Sequence, residues 1–317
     1  MTFFKIPLRY TNSMFILQVI LLAIVQGLAE LLPVSSSAHV VVAEKLMGLD
    51  PSSPQMTLIL VMLHTGTMFA VIVYFWRTWK EAYFSSAAAF KRFALLVLWA
   101  TLLTGILGEA VKKVIEKTLF KGVEKAEIES LFGRLDLIAP ALAAAGVLIL
   151  VSGIIELRRR RQIGYTISNS AFQRTLGSGT VTFRQSTIMG LVQGLALPFR
   201  GFSRSGSTIS AGMLAEAPRE RAERFSFAMA VVLTPAVVGL EALRLVHASH
   251  AAKLAGTPID LHSSVVSSLV GMLFAFLAGL LALKWLSSWL ESGRWYLFGI
   301  YCLLAAVGVF ILHTHGY

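Results

Sequence analysis

QVILLAIVQGLA, residues 18–29, returns in the second half of the chain as QSTIMGLVQGLA, residues 185–196, with six identities in twelve positions and no gap. A match of that density between distant segments marks an internal duplication. Each copy then runs through a proline (Pro33, Pro198) into a serine-rich turn, Ser35-Ser36-Ser37 in the first and Ser203-Arg204-Ser205 in the second. Beyond each turn lie three apolar runs: Met56–Trp76, Phe93–Ala110 and Ile138–Leu157, then Phe225–Leu243, Val265–Leu286 and Trp295–Leu312. Every run reaches roughly 18 residues or more, enough to cross a hydrocarbon core of about 30 Å as a helix. The expected domains are a first repeat over 1–161, a polar Gly-, Ser- and Thr-rich linker over 162–184, and a second repeat over 185–317.

Phe15–Leu32 and Ile188–Leu197 are apolar too, but each meets proline, serine and charge before a clean exit. They read as re-entrant segments, so that six helices span. Three spans per half invert the second copy relative to the first, and the two re-entrant tips enter from opposite sides and meet. Irregular backbone is tolerated at membrane depth only where it lines a polar cavity. The expected fold is therefore an all-α polytopic membrane protein, an inverted repeat of two halves, each a re-entrant helix–loop–helix plus three transmembrane helices. Phe15–Leu32 is followed by no small-x-small cleavage site, and is expected to stay in the mature chain.

Composition agrees with a bilayer protein. Of 317 residues 14% are charged and 56% hydrophobic, and the mean hydropathy is +0.72, values no ordinary water-soluble domain needs. The net charge of +11 does not point to nucleic acid, because the basic residues cluster at the ends of apolar runs: Arg77, Lys80, Lys91, Arg92, Arg158–Arg161, Arg219, Arg221 and Arg224. Such clusters are cytoplasmic flanks, which places both termini and the first tip on the periplasmic side. Trp76, Trp79, Trp285, Trp289 and Trp295 fit an interfacial belt. One cysteine, Cys302, excludes a disulfide framework and a cysteine-based metal site.

The two tips carry the chemistry. Gln26 and Glu30 stand i, i+4, on one helical face, where both can address one cation or phosphate. An ionisable residue in an apolar run costs at least about 2.5 kcal/mol unless it faces protein or water, so Glu30 reads as functional. After Pro33, Ser35, Ser36 and Ser37 offer hydroxyls that suit both helix capping and phosphate binding at a helix N-terminus, and His39 lies one turn on, a candidate for proton transfer. In the second tip Gly201 and Gly206 permit close backbone approach to an anion, Arg204 supplies a planar fork, and Ser203, Ser205 and Thr208 add hydroxyls. Glu30 aligns with Leu197, so the acid belongs to one copy and the cation to the other. Arg200 fits a lipid headgroup contact better than Arg204 does. His64, in the middle of a span, is expected to make an interhelical hydrogen bond or to line the cavity.

The stretch Gln26–His39, with its Gln-x-x-x-Glu, serines and histidine, together with Gly201–Ser210, strongly resembles the undecaprenyl-diphosphate phosphatase (bacitracin-resistance protein) family. That resemblance covers nearly the whole chain. It implies a bacterial inner-membrane hydrolase that removes the terminal phosphate of undecaprenyl diphosphate, regenerating the monophosphate carrier for peptidoglycan and other envelope polymers, with Mg2+ or Ca2+ as cofactor. By the same resemblance Gln26 and Glu30 take the metal and acid–base positions, Ser36 the nucleophile or phosphate-contact position, His39 the base position, and Ser203, Arg204 and Thr208 the phosphate cradle. Three positions depart from the family pattern: Gln26 is an amide that cannot act as a base, Ser37-Ala38-His39 replaces Thr-Gly-His, and Phe199-Arg200 lengthens the usual Pro-Gly step.

Expected partners are the polyprenyl diphosphate lipid and the bilayer, with a homodimer admissible and nucleic acid not. A carrier moving a polyprenyl phosphate or another anion across the membrane is the rival class, since inverted repeats and a midplane anion site serve transport equally well. An acid, a serine and a histidine within ten residues favour the enzyme.

Overall fold

The computed structural model describes residues 12–50, 53–119, 131, 133–164, 179–254, 261–291 and 294–316. Their regular structure is helical: α1 (Asn12–Leu31), α2 (Ser36–Leu46), α3 (Pro54–Tyr83), α4 (Ala87–Leu119), α5 (Leu135–Gly164), α6 (Phe183–Ala196), α7 (Arg204–Leu214), α8 (Arg219–Leu254), α9 (Leu261–Glu291) and α10 (Trp295–Thr314). Seven of these helices are long and apolar enough to cross a membrane. Six are the expected spans. The seventh is α1, whose Met14–Leu31 stretch qualifies by length and hydropathy, because Pro33 stops the helix only after it has run its full 20 residues. α6, with 14 residues, is too short.

The duplicated sequence folds in duplicate. α1 and α2 are joined by a break at 32–35, and α6 and α7 by one at 197–203. Each break ends on a serine in the left-handed region, Ser35 at φ 66° and Ser203 at φ 52°, a conformation that costs a non-glycine residue on the order of 1–3 kcal/mol and so must be held by its surroundings. Each unit folds back until its ends meet. The amide Nε2 of Gln18, at the start of α1, donates to the Met47 carbonyl that caps α2, at 3.3 Å. Its repeat counterpart, Gln185 at the start of α6, donates to the Ala215 carbonyl that caps α7, at 3.1 Å. Both second helices then close in the same way, with Leu49 N on Glu44 O and Ala217 N on Gly212 O, each at 2.9 Å, around a left-handed residue, Gly48 in one and Glu216 in the other. That is the Schellman pattern.

The repeated Gln-Gly dipeptide explains how each unit is seated. A Cβ on Gly27 would stand 2.6 Å from Ala278 Cβ and 2.8 Å from Ala275 O, so α1 lies backbone to backbone on α9. A Cβ on Gly194 would stand 2.9 Å from Thr104 O, so α6 lies as closely on α4. Close approach through small residues is how helices associate where lipid removes the hydrophobic driving force. Polar side chains reinforce the second contact: Ser186 Oγ donates to Leu96 O at 2.9 Å and Thr104 Oγ1 to Gly190 O at 3.0 Å. Three further extensive pairings, α5 with α10, α3 with α9 and α3 with α8, also join the halves.

Outward faces are apolar. Leu95, Leu98, Leu102 and Ile106, three or four apart on α4, are 55–60% exposed, a stripe of the kind that meets lipid tails rather than water. The basic ends gather at one end of the bundle, where Arg159 on α5 reaches Glu216 at 3.7 Å and Arg219 on α8 reaches Glu156 at 3.4 Å. Trp76 and Trp285 are exposed as a belt requires, but Trp79 and Trp295 are core residues, 6% and 1% exposed. Trp295 donates its indole N–H to Ser210 Oγ at 3.2 Å, a satisfied polar contact that makes its burial inexpensive. The central part of the expected linker, 165–178, and the side chain of Trp289 lie outside the described residues.

Candidate active site

The two breaks face one another and enclose a cavity of about 260 Å3. Glu30, Ser35, Ser36, Ser37 and His64 line it from the first half, and Arg200, Ser203, Arg204 and Ser205 from the second. Its remaining wall is mostly apolar, with Val61 on α3 and Leu233, Val237 and Val238 on α8, beside Thr234, whose hydroxyl donates to Ala230 O at 2.7 Å.

Glu30 is the hub. Its carboxylate, 9% exposed, sits in the last turn of α1 and accepts hydrogen bonds on both oxygens. Arg204, the first residue of α7, donates Nη2 to Oε1, and Ser36, the first residue of α2, donates Oγ to Oε2. Gln26, one turn earlier on the same face, donates Nε2 to Oε2 at 3.0 Å and to His64 Nδ1 at 2.8 Å. The i, i+4 reading of Gln26 and Glu30 therefore holds in geometry. Since His64 Nδ1 accepts from the amide, its other nitrogen carries the proton when the ring is neutral. Burying a carboxylate without a partner costs several kcal/mol, and Arg204, Ser36 and Gln26 together offset that cost.

The other expected residues divide into cavity walls and supports. Ser35, Ser37, Ser203 and Ser205 line the cavity. Ser203 Oγ also accepts from Gly206 N at 3.2 Å, which makes it the N-cap of α7. Thr208, fully buried, spends its hydroxyl on Arg204 O at 2.7 Å and sits behind the cavity. Gly201 and Gly206 are packing residues: a Cβ would stand 2.6 Å from Ile138 O at Gly201 and 2.7 Å from Ile149 Cδ1 at Gly206. Gly201 has φ +104° as well, so only glycine fits there without strain.

His39 is placed differently from its expected base position. Its Nδ1–H donates to Ser35 O at 2.8 Å, and its Nε2 accepts from the hydroxyl of Tyr301 on α10 at 2.7 Å. The two rings stack with centroids 5.6 Å apart. His39 is turned away from Ser36, whose hydroxyl is engaged by Glu30.

Two residues gain weight over the sequence reading. His64 belongs to the polar cluster, 3.4 Å from Glu30; its signal was a histidine in mid-span at the depth of Gln26. Arg200 lines the cavity beside Arg204 rather than serving the surface alone. Tyr301 has no sequence signal, because a tyrosine in a terminal apolar run is indistinguishable from an interfacial anchor.

Ten helices among the described residues, seven of them long and apolar enough to span, with a carboxylate, an arginine and serine hydroxyls around a cavity at two helix breaks, define a multi-pass membrane protein with an internal polar site. The family model for the bacitracin resistance protein BacA matches residues 19–308, and the chain belongs to that family. It is 55% identical to undecaprenyl-diphosphatase 2 of Acinetobacter baylyi, over 92% of this chain and 96% of that one. It is 32% identical to an undecaprenyl-diphosphatase of Desulfatibacillum aliphaticivorans, over 93% and 98%, and 31% identical to undecaprenyl-diphosphatase 2 of Burkholderia ambifaria, over 93% and 96%.

Proposed function

We propose that this chain is an integral membrane phosphatase that hydrolyses undecaprenyl diphosphate to undecaprenyl phosphate and inorganic phosphate, recycling the lipid carrier of envelope polymer synthesis in the bacterial inner membrane. The observation that carries the reading is Glu30 joined at once to Ser36 and Arg204, across two breaks that are distant in sequence. A carrier of anions needs the arginine and the donors. A serine hydroxyl hydrogen-bonded to a buried carboxylate is the arrangement a nucleophile needs.

The chemistry follows from charge. Arg204 neutralises Glu30. A diphosphate competes for the guanidinium with its own oxygens, to which the planar fork is suited, and as Arg204 turns to the phosphate Glu30 becomes the stronger proton acceptor. Ser36 Oγ then attacks the terminal phosphorus while its proton passes to Glu30. The phosphoanhydride bond breaks, undecaprenyl phosphate leaves, and water hydrolyses the phosphoserine. Arg204, Arg200 and the serine hydroxyls hold the charge that develops on the phosphoryl oxygens.

A divalent cation, Mg2+ or Ca2+, is part of the proposal. Glu30 is the one carboxylate among the described residues that lines the cavity, a donor set that fits a cation held for the most part by substrate phosphate. Gln26 presents its Nε2 to Glu30, so it orients the carboxylate as placed and would serve as a ligand only through its oxygen. Bound there, the cation offsets phosphate charge.

The inverted architecture belongs to the same proposal. Matched hairpins seated on α9 and α4 by Gly27 and Gly194, and closed by Gln18 and Gln185, support two re-entrant units related by a two-fold axis in the membrane plane. With the basic ends cytoplasmic, the first hairpin opens to the periplasm.

Phosphate release from undecaprenyl diphosphate by purified protein in detergent tests the reading. The wild type is expected to turn over and to stop in EDTA, Glu30→Ala and Arg204→Ala to lose most activity, and a phosphoserine to be trapped at Ser36. A wild type without release contradicts the phosphatase, and undiminished turnover in Ser36→Ala contradicts the serine nucleophile.

A further inference from the structure

His64 stands on α3, in the wall between the two breaks, and none of the steps proposed above gives it a role. One nitrogen of its ring is committed. Glu30 is ionised against Arg204 and its oxygens can only accept, so the Gln26 amide turns Nε2 toward them, at 3.0 Å. The second hydrogen on that nitrogen goes to His64 Nδ1, at 2.8 Å. These contacts dictate a tautomer: Nδ1 accepts, and the proton of the neutral ring sits on Nε2. Nε2–H makes no hydrogen bond to any described residue and is not sealed from solvent.

The open side of the ring is the phosphate cavity, whose wall His64 shares with Ser36 and Arg204. Its side chain is 39% exposed, against 28% for Arg204 and 9% for Glu30. A small cavity of about 20 Å3 behind Glu30, which His64 also lines, has room for one water and does not account for that exposure. The same wall offers no rival donor among the described residues, because Val61, Leu233, Val237 and Val238 are apolar and Thr234 spends its hydroxyl on Ala230 O. Ser36 and His64 also approach the same oxygen of Glu30, Ser36 by donating to Oε2 and His64 with Nδ1 3.4 Å away. The ring therefore stands at the nucleophile's end of the cavity.

We infer that His64 is a further catalytic residue whose Nε2–H donates to an oxygen of the phosphoryl group under attack, and that Gln26 is the positioning residue that holds the imidazole in that tautomer. This role rests on the phosphatase reading above. A phosphoryl group in transfer spreads its charge over three equatorial oxygens. Arg204, Arg200 and the serines reach those oxygens from the two breaks, and His64 reaches them from α3. A fixed donor at a site of developing charge holds the transition state more tightly than the ground state. The ring neither gains nor loses a proton, so the balance of the reaction is unchanged.

Two amides separate the two nitrogens. His64→Gln carries an N–H about as far out as Nε2 and gives up the Nδ1 acceptor; His64→Asn keeps an acceptor for Gln26 near Nδ1 and gives up the reach. Purified variants are compared for kcat and KM with undecaprenyl diphosphate, for inhibition by orthovanadate, a five-coordinate stand-in for the phosphoryl group in transfer, and for thermal unfolding in detergent. His64→Asn is expected to lower kcat by about 10²-fold, to shift KM by less than about threefold and to weaken orthovanadate in proportion to kcat. His64→Gln is expected to recover kcat to within about tenfold of the wild type. The opposite order, with His64→Asn active and His64→Gln impaired, makes the ring a prop for Gln26 and overturns the assignment. Equal losses in both variants, or full activity in both, overturn it as well. Should His64→Asn fail to fold, His64→Leu replaces it, and undiminished kcat there has the same meaning. A wild type that releases no phosphate overturns the phosphatase reading instead.

Discussion

The two hairpins share a frame and differ in almost every group that reacts. Ser36 and Arg204 occupy the same position in their copies, the first residue of the second helix, each directly after a left-handed serine. One copy places a hydroxyl there and the other a guanidinium. Glu30, in the last turn of α1, has Leu197 as its repeat counterpart and reaches both of those positions. Gln26 is hydrogen-bonded to Glu30 and His64, while its counterpart Gln193 is fully buried with neither amide atom hydrogen-bonded among the described residues. The second break is also longer, 197–203 against 32–35, which brings Arg200 to the cavity wall. The difference teaches that duplication supplied the geometry and divergence supplied the charge separation: an acid and a serine hydroxyl bonded to it on one tip, cations on the other.

The comparison breaks most severely at its hub. Glu30→Gln keeps the shape and removes the acceptor, and phosphate release is expected to fall by about 10²–10⁴-fold. Arg204→Ser, which makes the second tip resemble the first, is expected to cost about 10²–10³-fold in kcat; Arg204→Lys keeps the charge without the fork and should recover only part of it. A smaller effect is expected on stability. Gly27→Leu and Gly194→Leu each force a side chain against a neighbouring backbone, at Ala275 O and Thr104 O respectively, and thermal unfolding in detergent should register about 1–3 kcal/mol or more for each. Similar losses would support equivalent seating of α1 and α6. Smallest of all, Gln18→Ala removes the hydrogen bond that closes the first hairpin, worth about 1 kcal/mol, whereas Gln185→Ala removes its counterpart and also the capping-box bond from Thr182 N, and should lower the unfolding temperature further, with kcat nearly intact in both.

Much of the frame was legible because membrane residence simplifies the code. Long apolar runs mark helices, and the twelve-residue repeat carries both the closing amide at its first position and the seating glycine at its tenth. The acid, the serines and the arginine were legible because charge in an apolar run demands a reason. What escaped was what depends on the direction of a side chain. The expected approach of His39 to Ser36 rests on spacing alone, and spacing does not say that α10 brings Tyr301 to the imidazole from the far end of the chain. Thr208, Gly201 and Gly206 have the composition of a phosphate loop, yet the hydroxyl is spent on a helical carbonyl and the glycines on close packing. Pro33 marks the end of α1 after 20 helical residues, so length and hydropathy alone do not separate a re-entrant helix from a span.

The central claim is that Glu30 and Arg204 act as one unit across the two hairpins. A double-mutant cycle on phosphate release, with Glu30→Gln, Arg204→Lys and the pair together, tests it most directly. The account predicts strong non-additivity, with the double variant little slower than Glu30→Gln alone. Losses that simply multiply, as for two independent sites, would contradict it.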